Sequence, residues 1–199
     1  MKMIRTLALC AAAAGLLAGA PPPAAAGTRH STDFTTYAVS GRTPAEIYRS
    51  ILVRGPTVGG VRAIASTSAR GVQSYSMLQD GPACRVTGHR ISFRFRVQLP
   101  RPSKLKALRP KDRALWQQFS GFLKAHELQH IDLWLGCAAE LDRTVTSIRA
   151  PNCKATARKV ENLWRSMQAR CDKLQARFDR EQRGELLAQP FMQRVMRGD

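Results

Sequence analysis

Phe119-Ser120-Gly121-Phe122-Leu123-Lys124-Ala125-His126-Glu127-Leu128-Gln129-His130-Ile131-Asp132-Leu133 places apolar residues every three or four positions, the spacing of one face of an α-helix. The pattern continues through Cys137 and Leu141 to Val145, and Pro110 before it suits a first helical turn, so a helix is expected over residues 111–148. A second stripe of Val160, Leu163, Trp164, Met167, Cys171, Leu174 and Phe178 predicts another over 154–187. Only Ala150-Pro151-Asn152 and a few neighbours join them, and so short a connection makes two helices antiparallel neighbours.

His126-Glu127-Leu128-Gln129-His130 is an H-E-x-x-H motif. Residues four apart on a helix share a face, so both imidazoles can reach one metal ion while Glu127 stands beside it. The chemistry expected of such a site is zinc-assisted peptide hydrolysis: the metal acidifies a water to a pKa of about 7 and the carboxylate takes the proton. The expectation is a zincin-like active-site helix with Zn2+ on His126 and His130 and Glu127 as general base. A structural metal site, or two histidines packed without metal, is the competing reading of the pair.

A catalytic zinc takes three protein ligands, and the motif supplies two. The metzincin extension needs glycine at 133 and histidine at 136, where this chain has Leu133 and Gly136. With the hairpin turn near residues 152–154, the positions opposite the two histidines fall at about 174–182 on the second helix, from a rise of about 1.5 Å per residue. Asp179 is the preferred third ligand and Glu181 the reserve; Asp172 and Glu185 lie a turn or two away. Asp132 projects to another side of the first helix, Glu140 is too far along it, and His89 precedes a strand as an outlying candidate.

The same arithmetic places Cys137 opposite about residues 167–171, making a Cys137–Cys171 disulfide feasible and leaving Cys84 for Cys153. Pairing Cys137 with Cys153 would require a disulfide to span about 24 Å of helical rise. No C-x-x-C spacing suggests a cysteine zinc site.

Upstream, residues 33–100 read as strands around one short helix. Residues 34–39 have strand composition; Thr43, Pro44 and Glu46 form a capping box, and Gly55 is expected to end that helix in a left-handed conformation. Its apolar stripe is Ile47, Ile51 and Leu52. Strands are expected at 61–66 and 72–78, with a turn at Arg70-Gly71 and a break at Asp80-Gly81-Pro82. The clearest strand is 90–98, where Ile91, Phe93, Phe95 and Val97 alternate with Ser92, Arg94, Arg96 and Gln98, giving one buried and one polar face. Two roles are open to it: an edge strand that pairs with substrate, Arg94 and Arg96 meeting acidic side chains, or an interior strand with solvated arginines.

Residues 1–26 carry a basic start at Lys2 and Arg5, an apolar run and small residues at Ala24-Ala25-Ala26, the signature of a secretory signal peptide. A periplasmic or secreted product is expected, with the four remaining cysteines paired. Residues 27–199 form one domain on this reading: the strand-rich part, the helical hairpin over 111–187 and a basic tail at 188–199. The fold class expected is α+β, a small mainly antiparallel sheet packed on a hairpin of two long helices. No later segment has the roughly 18 consecutive apolar residues of a membrane span. The chain's formal charge is +18, and loss of Lys2 and Arg5 leaves +16. A solvated basic surface is the plainer reading, with attraction to an anionic envelope polymer as a side effect. Too few aromatics interleave with the basic residues to stack nucleic-acid bases, so no specific nucleic-acid partner is expected.

Tyr37-Ala38-Val39-Ser40-Gly41, Cys84-Arg85-Val86-Thr87, Leu99-Pro100, the H-E-x-x-H motif and Cys153 with the closing helix together resemble a bacterial family of predicted secreted zinc-dependent proteases, catalogued as a domain of unknown function. The resemblance implies a zinc metallopeptidase acting on peptide or protein substrates. Relatives close with a tyrosine-aspartate pair and a threonine-x-histidine-glycine run. Here the stretch is Phe178-Asp179-Arg180-Glu181-Gln182-Arg183-Gly184. Arg183 stands at the family's histidine and cannot ligate zinc; if that histidine is the ligand, this member is weakened or inactive, and if the aspartate is, the change is harmless. The alternative function is a noncatalytic, disulfide-stapled basic protein of the cell envelope that binds a partner or an anionic polymer.

Overall fold

The structure, a computed structural model, describes residues 27–198; the proposed signal peptide lies outside them. The elements in chain order are β1 (Gly27–Val39), α1 (Pro44–Arg54), β2 (Thr57–Val58), β3 (Val61–Arg62), β4 (Ser66–Asp80), β5 (Ala83–Pro102), a single 3-10 turn, α2 (Pro110–Thr146), β6 (Arg149–Ala150), α3 (Cys153–Ala188) and α4 (Pro190–Met196). The fold is α+β, with a mainly antiparallel sheet against the α2–α3 hairpin, as the periodicities predict. Among the described residues no helix is long and apolar enough to cross a membrane.

β5 is the centre of the main sheet. It pairs antiparallel with β4, parallel with β1, and at its start with β6. It is therefore an interior strand, and the substrate-pairing role weighed for residues 90–98 is excluded. Its inward residues Ile91, Phe93, Phe95 and Val97 pack with Ile131, Cys137, Leu141, Val145, Val160 and Met167 of the hairpin. A second core joins Val39, Ile47 and Ile51 to Trp116, Phe119 and Leu123 of α2 and to Phe191 and Met192 of α4. The expected basic tail thus includes a docked helix, whose Arg194 also lies 3.6 Å from the buried Asp112 carboxylate of α2.

Other local expectations are corrected. β4 runs unbroken through Arg70-Gly71. Gly71 is there because a Cβ would come within 2.5 Å of the Phe93 ring, so the glycine marks close packing across strands. Thr43 does cap α1, accepting from the Glu46 backbone, but Gly55 has an extended conformation, φ −61° and ψ 162°. Its need is steric: a Cβ would lie 2.3 Å from the Ala63 carbonyl oxygen. Val61 belongs to a two-residue hairpin with β2 across Gly59-Gly60, both at positive φ, and no strand runs from it to Ser66. Leu52 is largely exposed.

Disulfides join Cys84 to Cys153 and Cys137 to Cys171, the pairs reached from the hairpin arithmetic. Asn152 caps α3 by accepting from the Ala155 backbone, and the buried Thr156 hydroxyl donates to the Cys84 carbonyl. The hairpin is stapled at its closed end and again partway along its length.

Candidate metal centre

The H-E-x-x-H turn lies where the two cores meet, between Leu123 of one and Ile131 of the other. This anchoring above and below fixes the rotation of α2. Glu127 faces β4 and is buried, while His126 and His130, partly buried, face α3 across a cleft of about 730 Å³.

Three atoms converge in that cleft. His126 Nε2 is 3.2 Å from His130 Nε2, and Asp179 Oδ1 lies 3.2 Å from the first and 3.0 Å from the second. A tetrahedral zinc with bonds of about 2.0–2.1 Å holds its ligand atoms roughly 3.3 Å apart. All three separations are close to that edge, so the donor set and its spacing fit zinc. Asp179, predicted from the hairpin, stands with the histidines. Glu181 does not: it pairs with Arg177 on the exposed side of α3.

The surroundings orient the imidazoles. His130 Nδ1 donates to the Gln175 side-chain oxygen, and the Gln175 amide donates back to the His130 carbonyl at 3.0 Å. That grip assigns a proton to Nδ1 and leaves Nε2 as the titrating nitrogen, which donates to Asp179 in the imidazolium and offers a lone pair to the cleft in the neutral ring. Phe178 stacks on His126 at 4.8 Å and meets His130 edge-on at 5.1 Å. His126 Nδ1 is buried without a hydrogen-bond partner among the described residues. Burial works against the His130 cation, but hydrogen bonds to Asp179 and Gln175, with the charges of Asp179 and Glu127, raise its pKa above the ordinary value. Burial likewise works against the Asp179 carboxylate, and its hydrogen bonds to both histidines overcome this and hold its pKa well below the usual range.

Glu127 Oε2 accepts from the Thr67 hydroxyl of β4 at 2.8 Å. Its pKa is raised, chiefly by burial; Thr67 and the two histidines oppose the shift. Ser66, Thr67 and Ala69 of β4 line one wall of the cleft, Val58 and Val61 of the small hairpin extend it, and Arg180 and Arg183 stand on the α3 wall.

The remaining candidates lie elsewhere. His89 is buried in the first half of β5, bonded to Asp142 at 2.7 Å and Gln73 at 3.2 Å, which makes it neither ligand nor surface residue. Glu140 pairs with Arg170, Asp132 is exposed, and Asp172 lines the cleft without joining the three converging atoms. Thr67 and Gln175 were not foreseen; a threonine in a distant strand and a glutamine in a helix carry no spacing signal, although Gln175 sits one turn before Asp179.

Residues 34–185 match the DUF922 family, described as bacterial proteins of unknown function, and the chain belongs to that family. No curated protein and no solved structure matches it.

Proposed function

Membership of a family without an assigned activity leaves the cleft to define the chemistry, and we propose that this protein is a zinc metallopeptidase acting outside the cytoplasm. The observation that carries the proposal is the convergence of His126, His130 and Asp179 at 3.0–3.2 Å from one another beside a buried carboxylate. Zn2+ held there would supply Lewis acidity and lower the pKa of a water to about 7. Glu127, one residue from the first ligand, would serve there as general base and would return the proton to the leaving amine. Burial suits it to this work, because a carboxyl group with a raised pKa both gains and releases a proton nearer neutrality. The Thr67 hydroxyl holds the carboxylate in place, and Gln175 holds the His130 ring.

Peptide binding is assigned to β4. Its outer edge has no strand partner among the described residues, and Ser66–Ala69 runs along the cleft, where an extended peptide can add to the sheet through main-chain hydrogen bonds. This replaces β5 as the strand that meets substrate. With Asp179 as third ligand, Arg183 does not break the metal set, and it offers a cation to an acidic side chain. Two disulfides suit an oxidising compartment, which supports a periplasmic or secreted location.

The test is Glu127→Gln in the zinc-loaded protein, assayed against a peptide library. Zinc content is expected to stay at the wild-type level while hydrolysis falls by about 10²–10⁴-fold. Hydrolysis unchanged in that variant would remove Glu127 as the general base, and no hydrolysis by the zinc-loaded wild type would return the reading to a noncatalytic envelope protein.

A further inference from the structure

The side of the sheet away from the helices has its own pattern. Alternation along β5 buries Phe93 and Phe95 against the hairpin and turns Arg94 and Arg96 outward. In the sheet register Arg70 of β4 stands directly opposite Arg94, while on the other flank Ser31 is opposite Arg94 and Arg29 opposite Ser92. These residues line a shallow concavity of about 400 Å³. Like charges directly opposite one another on paired strands repel and weaken the pairing. Among the described residues, the side chains of Arg29, Arg70 and Arg94 make no hydrogen bond or ion pair. Asp33, the acid opposite Arg96 in register, makes none either. Three arginines therefore share this face with no ion pair to any of them among the described residues, the nearest acid in register being Asp33 opposite Arg96.

We infer that this outer face is a binding site for a linear polymer of phosphate groups, built on Arg29, Arg70 and Arg94. Arginine presents a planar fork of donors that matches phosphate oxygens two at a time. Arg90, Arg94 and Arg96 carry the positive row along β5 for about 20 Å, at about 3.3 Å per residue, which gives a chain rather than a single ion a track to follow. A membrane surface fits less well: the site is concave, and Val72 is the exposed apolar side chain beside it, without the row of large apolar residues that enters lipid. Phe93 beneath is buried and the His30 ring turns edge-on to Phe95, so nucleic-acid bases find no open platform. The site is independent of the peptidase reading, since the cleft lies on the helix side of the sheet.

The experiment titrates the mature protein with short-chain inorganic polyphosphate by calorimetry across a salt series. Wild type is compared with the triple variant R29Q/R70Q/R94Q and with K154Q/R158Q/R165Q, which removes the same charge from α3. The sheet variant is expected to lose at least about tenfold in affinity and to flatten the slope of log K against log salt by about 2, taking roughly 0.7 per phosphate contact. The α3 variant is expected to keep the wild-type slope. The sheet variant is also expected to melt no lower than wild type, because the opposed charges are gone. No binding by wild type, equal losses in both variants, or a lower melting temperature in the sheet variant would overturn the site. Arginine-dependent binding to phosphatidylglycerol vesicles without binding to polyphosphate would overturn the polymer as its ligand.

Discussion

The two ends of the helical hairpin are built on different terms. At the closed end, β6 pairs with the start of β5, Asn152 caps α3, Thr156 donates to the Cys84 carbonyl, and the Cys84–Cys153 disulfide ties turn to sheet. Towards the open end, α2 and α3 line a cleft together with β4, and the groups that meet there are two imidazoles, a carboxylate and a phenyl ring. Covalent and backbone bonds hold the closed end without a bound proton or cation. The open end gathers polar groups that need a proton or a cation among them. The Cys137–Cys171 disulfide stands between these regimes, about 10 Å along α2 from His130 and about 12 Å along α3 from Asp179, at about 1.5 Å per residue.

Removing the disulfides one at a time gives the largest expected effects and sharpens the contrast. Each closes a long loop, with sequence separations of 69 and 34, so Cys84→Ala/Cys153→Ala and Cys137→Ala/Cys171→Ala should each cost about 4 kcal/mol of unfolding free energy in the chain-entropy account. Denaturant melts measure this. Zinc affinity should separate the two pairs: loss of Cys137–Cys171 lets the ligand-bearing helices shift and weakens binding, whereas loss of Cys84–Cys153 leaves it unchanged. Equal zinc affinity in both variants would break the distinction between the ends.

Gln175→Leu comes next. It removes the grip on His130 while leaving every proposed ligand, and a lost imidazole partner of this kind typically costs about 10–100-fold in metal affinity, read by competition with a chromophoric chelator. Thr67→Val is expected to cost about 1 kcal/mol of stability. Because the Thr67 hydrogen bond lowers the Glu127 pKa, its loss should also move the acidic limb of the pH–rate profile upward.

The comparison also explains how much could be read from sequence. The closed end was legible because helix rise converts residue numbers into distances, so a turn at Ala150-Pro151-Asn152 brings Cys137 against Cys171. The same rule put Asp179 opposite His126 and His130. What sequence concealed depends on contacts between strands and helices, for which no fixed rise exists. Arg70-Gly71 read as a turn because glycine permits both a turn and the close approach of Phe93. Thr67 has no motif, and the His89–Asp142 pair joins residues 53 apart; Gln175 falls within the opposed window of the hairpin, but a glutamine there marks no chemistry by type. The Arg70–Arg94 opposition appears only once the β4–β5 register is known.

The smallest effect expected is a pH dependence confined to the open end. In metal-free protein the raised His130 pKa contributes stability that is fully present below the ordinary imidazole value of about 6.5. That contribution is lost as pH rises through the higher folded value. The melting temperature of chelated protein should therefore fall modestly across that window, and His130→Gln should remove the dependence. Zinc binding should strengthen with pH over the same range, because the metal requires neutral imidazole.

The central claim is that His126, His130 and Asp179 hold one zinc ion. Elemental analysis of the purified mature protein, after loosely held metal has been removed, tests it directly beside His126→Ala and Asp179→Ala. The account predicts one tightly bound zinc per chain in the wild type and its loss in both variants. A wild type that takes up no zinc on reconstitution, or an Asp179→Ala variant that keeps its full complement, would contradict it.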